Sequence, residues 1–412
     1  MPSFAYVIPL VVLSCFLAIP ILGGVHGVAL GKPILKSHDF HLDRIVDGLS
    51  RPTGLTFLGP DDFLVIEEDT GKVKRVIDGE ITQTLLDLDV STDDSRGLIG
   101  IDSYQNESKT FVFLYYTESS SSSDGDSDPL GNRLYRYELA EDEESLINPM
   151  LLLDLPAVPG SMDNGGPVLV GSDNYLYLVI GQIQDDNAEG HSTKAENFEK
   201  GPEADGTSGV HRITQDGETV ATGVLGPSAD KESYFAYGIR NSFGMDFDPV
   251  TEKLWLTENG VRTNDEINLI ESGFNGGWKD LTGFASSGLN YSELVSFNGT
   301  GKYSDPKFVW NSTVAPTALL FFNSDRFGPG YKNDMFVGDY AFGRIYHFEP
   351  DPARTGLSLN GTLADKVADS DSEVQSTIFG EGFGVPTDLE IGPDGMLYDT
   401  SLRDGSVYRI SR

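Results

Sequence analysis

"VPTDLEIGPDGMLYDTSLRDGSVYRI", residues 385–410, opens on a proline, alternates apolar and polar side chains, breaks at Gly392-Pro393-Asp394-Gly395 and resumes as a second apolar strand. Period-2 alternation bounded by Gly, Pro and Asp turns marks short antiparallel strands. The pattern recurs at 51–77, 96–118, 161–181, 241–260 and 315–350. No long 3.6-period apolar stripe competes with it. Four short strands per copy, repeated about an axis, predict an all-β fold, a six-bladed β-propeller with four-stranded antiparallel blades, which leaves only short sheet edges. Each copy spans about sixty residues against the ~40–50 of compact propeller repeats. The surplus falls at 119–131, 182–209 and 276–313. The expected organisation is a leader at 1–27 and a single propeller over 28–412.

Lys and Arg total 29 against 64 Asp and Glu, a net charge of −35. Such a surface repels phosphate backbones and excludes nucleic acid as a partner. Phe4 to Leu22 is apolar apart from Ser14, and Val25-His26-Gly27 offers small residues for cleavage before Val28. This reads as a secretion signal, with an uncleaved membrane anchor as the alternative. Membrane contact is expected only through that segment. The only cysteine, Cys15, lies inside it, so the mature chain has no thiol for disulfides, nucleophilic catalysis or metal ligation. Sequons begin at Asn106, Asn290, Asn298, Asn311 and Asn360, in keeping with an exported protein whose loops carry glycans. Asp124, Asp126 and Asp128 imitate the start of an EF-hand loop, but Pro129 stands where glycine is required and Tyr135 where the bidentate Glu belongs.

Several stretches follow one another in a fixed order: "RGLIGI" at 96–101, "NGGPVLVGSDNYLYLVIG" at 164–181, "YGIRNSFGMDFDP" at 237–249, "ENGVRTNDEINLI" at 258–270, "GFNGGW" at 273–278 and "DLEIGPDGMLY" at 388–398. As a set they resemble the soluble pyrroloquinoline quinone (PQQ)-dependent glucose/sorbosone dehydrogenases, or aldose sugar dehydrogenases. The resemblance implies an exported enzyme that oxidises an aldose at C1 to a lactone and passes electrons to an external acceptor. It implies PQQ on the top face, a histidine base, an arginine and an asparagine at the quinone, and calcium. Such chemistry needs a base within hydrogen-bond reach and fixed positive charge where the reduced quinone becomes anionic. Arg240 and Asn241 match the Arg-Asn pair. Gly260 and Val261 match the carbonyls of a cofactor-side calcium, with Val261 where proline is usual. Glu266 and Gly276 match the ligands of a structural calcium, and oxygen-only ligation suits that ion.

The histidine position, however, holds Asp163. Ser95 stands where a Gln or Glu is expected, and Val385 and Thr387 stand where two arginines would hold the cofactor's carboxylates. Asp163 is read either as a carboxylate base or as an Asx-turn residue bound to the Gly165 and Gly166 amides. Of the histidines beyond the leader, only His191 falls in a top-face insert. His38 and His41 have no ligand spacing on a strand face. The rival function is a catalytically degenerate, calcium-stabilised propeller that binds glycans or another exported protein. Lactonase-type hydrolysis lacks a cluster of axial metal ligands.

Overall fold

The computed structural model describes residues 32–92, 95–121, 128–183, 193–220, 223–226, 232–285 and 293–412. The leader, Asp124, Asp126, His191 and the sequon at Asn290 lie outside the described residues. Strands among the described residues form six sheets, and each contains four antiparallel strands in up-and-down order. The first strands of the sheets are Pro52–Gly59, Leu98–Gln105, Val168–Val170, Met245–Phe247, Pro316–Phe321 and Pro386–Ile391. Each touches the next, and the last touches the first, so they surround one axis. The fold is an all-β propeller built from four-stranded antiparallel blades.

Three features depart from the sequence expectation, all at the outer strands. His41–Val46 pairs with Ser406–Ser411 and becomes the outer strand of the last sheet. Opening the ring would therefore break a strand ladder between the two ends of the chain. The 276–313 stretch is more than a loop, because its Phe308–Trp310 is the fourth strand of the fourth sheet. Short extra strands widen other sheets. Ile34–Leu35 joins the fifth antiparallel to Ile378–Glu381, while Phe274–Asn275 and Lys302–Tyr303 extend the third in parallel.

Alternation gives each sheet two apolar faces, which pack on the neighbouring sheets. Leu64, Ile66 and Val73 of the first sheet meet Leu98, Val112 and Leu114 of the second. Trp255, Ile267, Phe308 and Trp310 of the fourth meet Phe321, Met335, Val337 and Tyr346 of the fifth. Each such side chain contributes about 1.5–3 kcal/mol when fully buried.

An innermost strand has no ladder partner on its axial side, so some of its amides need another acceptor. In alternate sheets an aspartate supplies it. Asp102 Oδ2 accepts from the Val170 amide, Asp246 Oδ2 from Phe321 and Asp388 Oδ2 from Leu55, each at 2.7 Å. Each bond ties one inner strand to the next around the ring. Burial pushes these carboxyls up, to about 6 for Asp102 and about 7 for Asp246 and Asp388.

One core position breaks the pattern. Where Leu55 faces Val65, Ile101 faces Leu114, Met245 faces Leu256 and Leu319 faces Val337, the last sheet places Leu389 opposite Asp399. Asp399 is fully buried, and neither of its carboxylate oxygens has a hydrogen-bond partner among the described residues.

Candidate functional site

The inner strands and the loops at one end of them surround a cavity of about 680 Å³. Ser95, Asp163, Arg240, Asn241, Gly260, Val261 and Thr387 all line it. The fold thus brings together residues spread over most of the chain. Glu266, Gly276 and Val385 are not among the lining residues. Val385 is fully buried in packing, and Thr387 Oγ1 donates to the Pro52 and Thr400 carbonyls, so neither side chain presents a charge.

The Asn-Gly-Gly turn explains how Asp163 is aimed. Gly165 has φ +82°, and a Cβ there would meet the Val179 carbonyl oxygen at 2.3 Å, so only glycine fits. The turn is braced by Asn164 rather than by Asp163. Asn164 Oδ1 accepts from Ser161 Oγ at 2.9 Å and Asn132 Nδ2 at 3.1 Å, while its amide donates to the Ser161 carbonyl at 3.0 Å. The Gly166 amide goes to the Val179 carbonyl. The expected Asx bond from the Gly166 amide to Asp163 is therefore not made, and the neighbouring asparagine braces the turn through Ser161 and Asn132.

Asp163, 3% exposed, instead enters an ion pair. Its Oδ2 lies 3.4 Å from Arg240 Nη2 and accepts from Gln182 Nε2 at 3.1 Å. Gln182 Oε1 accepts in turn from Trp278 Nε1 at 3.1 Å, and the Arg240 guanidinium lies 5.6 Å over the Trp278 ring. Arg240 Nη1 donates to the Asn259 carbonyl at 3.1 Å and to that of Gly260 at 3.5 Å. Its backbone amide donates to Glu258 Oε1 at 2.7 Å. One arginine therefore serves a carboxylate, two carbonyls and an aromatic face.

Glu258 sits directly opposite Glu266 in the antiparallel pair. Burial first, and Glu266 second, hold Glu258 well above the ordinary carboxylate range against the pull of Arg240. Burial also pushes Glu266 up to about 7, against hydrogen bonds from Asn268 and the Gly283 amide. On the other side of the cavity Arg51 is paired with Glu68 and Asp69. Burial pushes Glu68 up to about 7 despite that partner.

Gln182, Trp278, Glu258, Arg51 and Glu68 were not singled out from sequence. Three of them carried a signal, since Gln182 follows "YLYLVIG", Glu258 opens "ENG" and Trp278 closes "GFNGGW". Polar or aromatic residues at strand ends on the rim of a propeller are natural site candidates. His211 is a core histidine, bonded to Ser233 Oγ and the Gly206 carbonyl and pushed down to about 4 by burial. It offers no substitute base.

The donor set does not fit PQQ. A tri-anionic ligand needs unpaired cationic side chains, and the described lining supplies only Arg51 and Arg240, both already paired. Against them stand the carboxyl groups of Glu68, Asp102, Asp163, Asp246, Asp388 and Glu390. A calcium beside Gly260 and Val261 is disfavoured too, because the Arg240 guanidinium, 3.5 Å from the Gly260 carbonyl, would repel a cation held there. The position at Glu266 differs. Glu258 Oε2 has no hydrogen-bond partner among the described residues, and two buried carboxyl groups face each other there. That arrangement suits a hard cation. Among the described residues no three acidic, His or Cys side chains group to hold a metal, so main-chain oxygens would have to complete the shell.

A family model described as glucose / sorbosone dehydrogenase matches residues 49–409. The aldose sugar dehydrogenase YliI of Escherichia coli is 26% identical over 307 residues, covering 73% of this chain and 72% of that one. The quinoprotein glucose dehydrogenase B of Acinetobacter calcoaceticus is 26% identical over 477 residues, covering 98% and 96%. Among solved structures, the PQQ-bound aldose sugar dehydrogenase of Streptomyces coelicolor superposes with a TM-score of 0.64 at 21% identity, covering 92% of this chain and 99% of that one.

Proposed function

Because the chain belongs to the glucose/sorbosone dehydrogenase family, we propose that it is an exported, six-bladed member whose axial cavity binds a sugar or glycan and whose oxidation of aldoses at C1 has been lost. The carrying observation is the ion pair between Asp163 and Arg240. It joins the residue at the position of the family's base to the arginine that would meet the quinone, and each neutralises the other. A base must accept a proton, and a carboxylate held by a guanidinium accepts one poorly. No external electron acceptor is then required. The test is a panel of aldoses and short glycans titrated calorimetrically into the protein, with dye reduction followed in parallel. Saturable binding without turnover supports the reading, and turnover by the unsubstituted protein refutes it.

A calcium ion held by Glu266 and the Gly276 carbonyl belongs to this proposal. It would offset the buried charge that Glu258 and Glu266 place opposite one another. A ligand bound only by the folded state adds RT ln(1 + [L]/Kd) to stability. Calcium is therefore expected to raise the melting temperature, and Glu266→Gln to weaken that response. An identical melting temperature in calcium and in EDTA would remove the ion from the account.

Export is proposed from the Phe4–Leu22 segment, with the mature chain starting near Val28. Sequencing the N-terminus of secreted material is expected to read from there. Intact Met1 chain confined to the cytosol would contradict export, and intact chain in the membrane would indicate an anchor.

A further inference from the structure

The charge of the cavity lining is one-sided. Its two arginines are tied to Glu68 and Asp163, while Asp102, Asp246, Asp388 and Glu390 remain along the axis with no lysine, arginine or histidine beside them in the lining. Each of the three aspartates accepts an inter-sheet amide, but an amide is a dipole and leaves the net charge in place. A second observation points to a ligand rich in donors. Asn241 and Asn259 line the cavity, are 9% and 8% exposed, and hold Oδ1 atoms without a hydrogen-bond partner among the described residues. Buried acceptors of that kind cost stability until a donor reaches them. At the mouth, Met162, Val261 and Tyr340 expose 56%, 43% and 45% of their surface, an apolar rim suited to the C–H face of a pyranose ring.

We infer that the cavity selects a cationic sugar, an amino sugar of the hexosamine class, over neutral and acidic sugars of the same shape. This rests on the sugar-binding reading above and adds to it the charge of the ligand. The ring hydroxyls would donate to the Asn241 and Asn259 amide oxygens. The ammonium group would lie toward the axial carboxylates, where a low local dielectric magnifies its attraction. An acidic sugar placed there would face like charge, so the same lining that repels PQQ also rejects a uronate.

The experiment compares D-glucosamine, D-glucose and D-glucuronate, titrated calorimetrically into the cofactor-free protein at about pH 7. There the amine of glucosamine is mostly protonated, while Asp102, Asp246 and Asp388, with carboxyls near 6 to 7, are half ionised or more. Glucosamine is expected to bind at least about tenfold tighter than glucose, with glucuronate weakest. Asp388→Asn keeps an oxygen for the Leu55 amide and removes one charge, so it should narrow the gap between glucosamine and glucose. Its melting temperature reports whether the fold is kept. Equal binding of all three sugars, or an undiminished gap in a folded Asp388→Asn protein, overturns the charge selection and leaves the sugar-binding reading standing. Binding by none of them overturns both.

Discussion

Replacing Asp399 with valine is expected to stabilise the protein by about 2–4 kcal/mol at neutral pH. The position is apolar in the register-matched sheets, where Val65, Leu114, Leu256 and Val337 stand. Both carboxylate oxygens of Asp399 are buried without partners. Burial, reinforced by Asp404 and Asp388, holds its carboxyl well above the ordinary value. The valine removes an unsatisfied polar group, which costs roughly 1–3 kcal/mol, and adds apolar contact. The sign of the pH dependence follows from the raised folded-state value. The group's full contribution is present below its unfolded value near 4, and it is lost as pH rises toward the folded value. Wild-type stability should therefore fall from about pH 4 upward, and the Asp399→Val protein should show a shallower fall. Urea titrations at several pH values measure both effects. A destabilised valine variant, or an unchanged pH slope, would mean that Asp399 has a partner this account lacks.

The opposite sign is expected at Arg240. Arg240→Ala should cost about 3–5 kcal/mol, because removing one member of a buried ion pair leaves the other charge uncompensated. Here the uncompensated group is Asp163, which is almost wholly buried. The Asn259 and Gly260 carbonyls lose their donor as well. Adding Asp163→Asn to Arg240→Ala should restore part of the loss, since it neutralises the carboxylate that the arginine held. A double variant as unstable as the sum of the two single ones would show that the residues do not act on each other.

Much of the fold was legible because strand alternation and turns are local. Residues 385–410 carry their apolar periodicity and their Gly-Pro-Asp-Gly break within one short window, and the structure uses both. What closes the ring is not local. His41–Val46 finds its partner at the far end of the chain, and nothing in "HLDRIV" states that its ladder is Ser406–Ser411. Phe308–Trp310 was similarly hidden inside a long connection. In the site, motif order placed Asp163, Arg240 and Asn241 on one cavity. It could not divide labour between Asp163 and Asn164, since either short polar side chain could brace the turn and only their partners in space, Arg240 and Gln182 for one and Ser161 and Asn132 for the other, assign the roles. The link between Gln182 and Trp278 was unreadable for a related reason. Each matters through the other, and they are joined only in space.

On the proposed reading, the Asp163–Arg240 pair and the acidic lining close this propeller to the cofactor of its relatives. Equilibrium titration with PQQ in the presence of calcium, followed by absorbance, tests it most directly on the wild type and on Asp163→His. Histidine removes the negative charge and provides a base that titrates near neutrality. No saturable PQQ binding is expected of the wild type or of Asp163→His, because Thr387, the buried Val385 and the remaining axial acids still leave the anion without cationic partners. Saturable, stoichiometric PQQ binding by the wild type would contradict it.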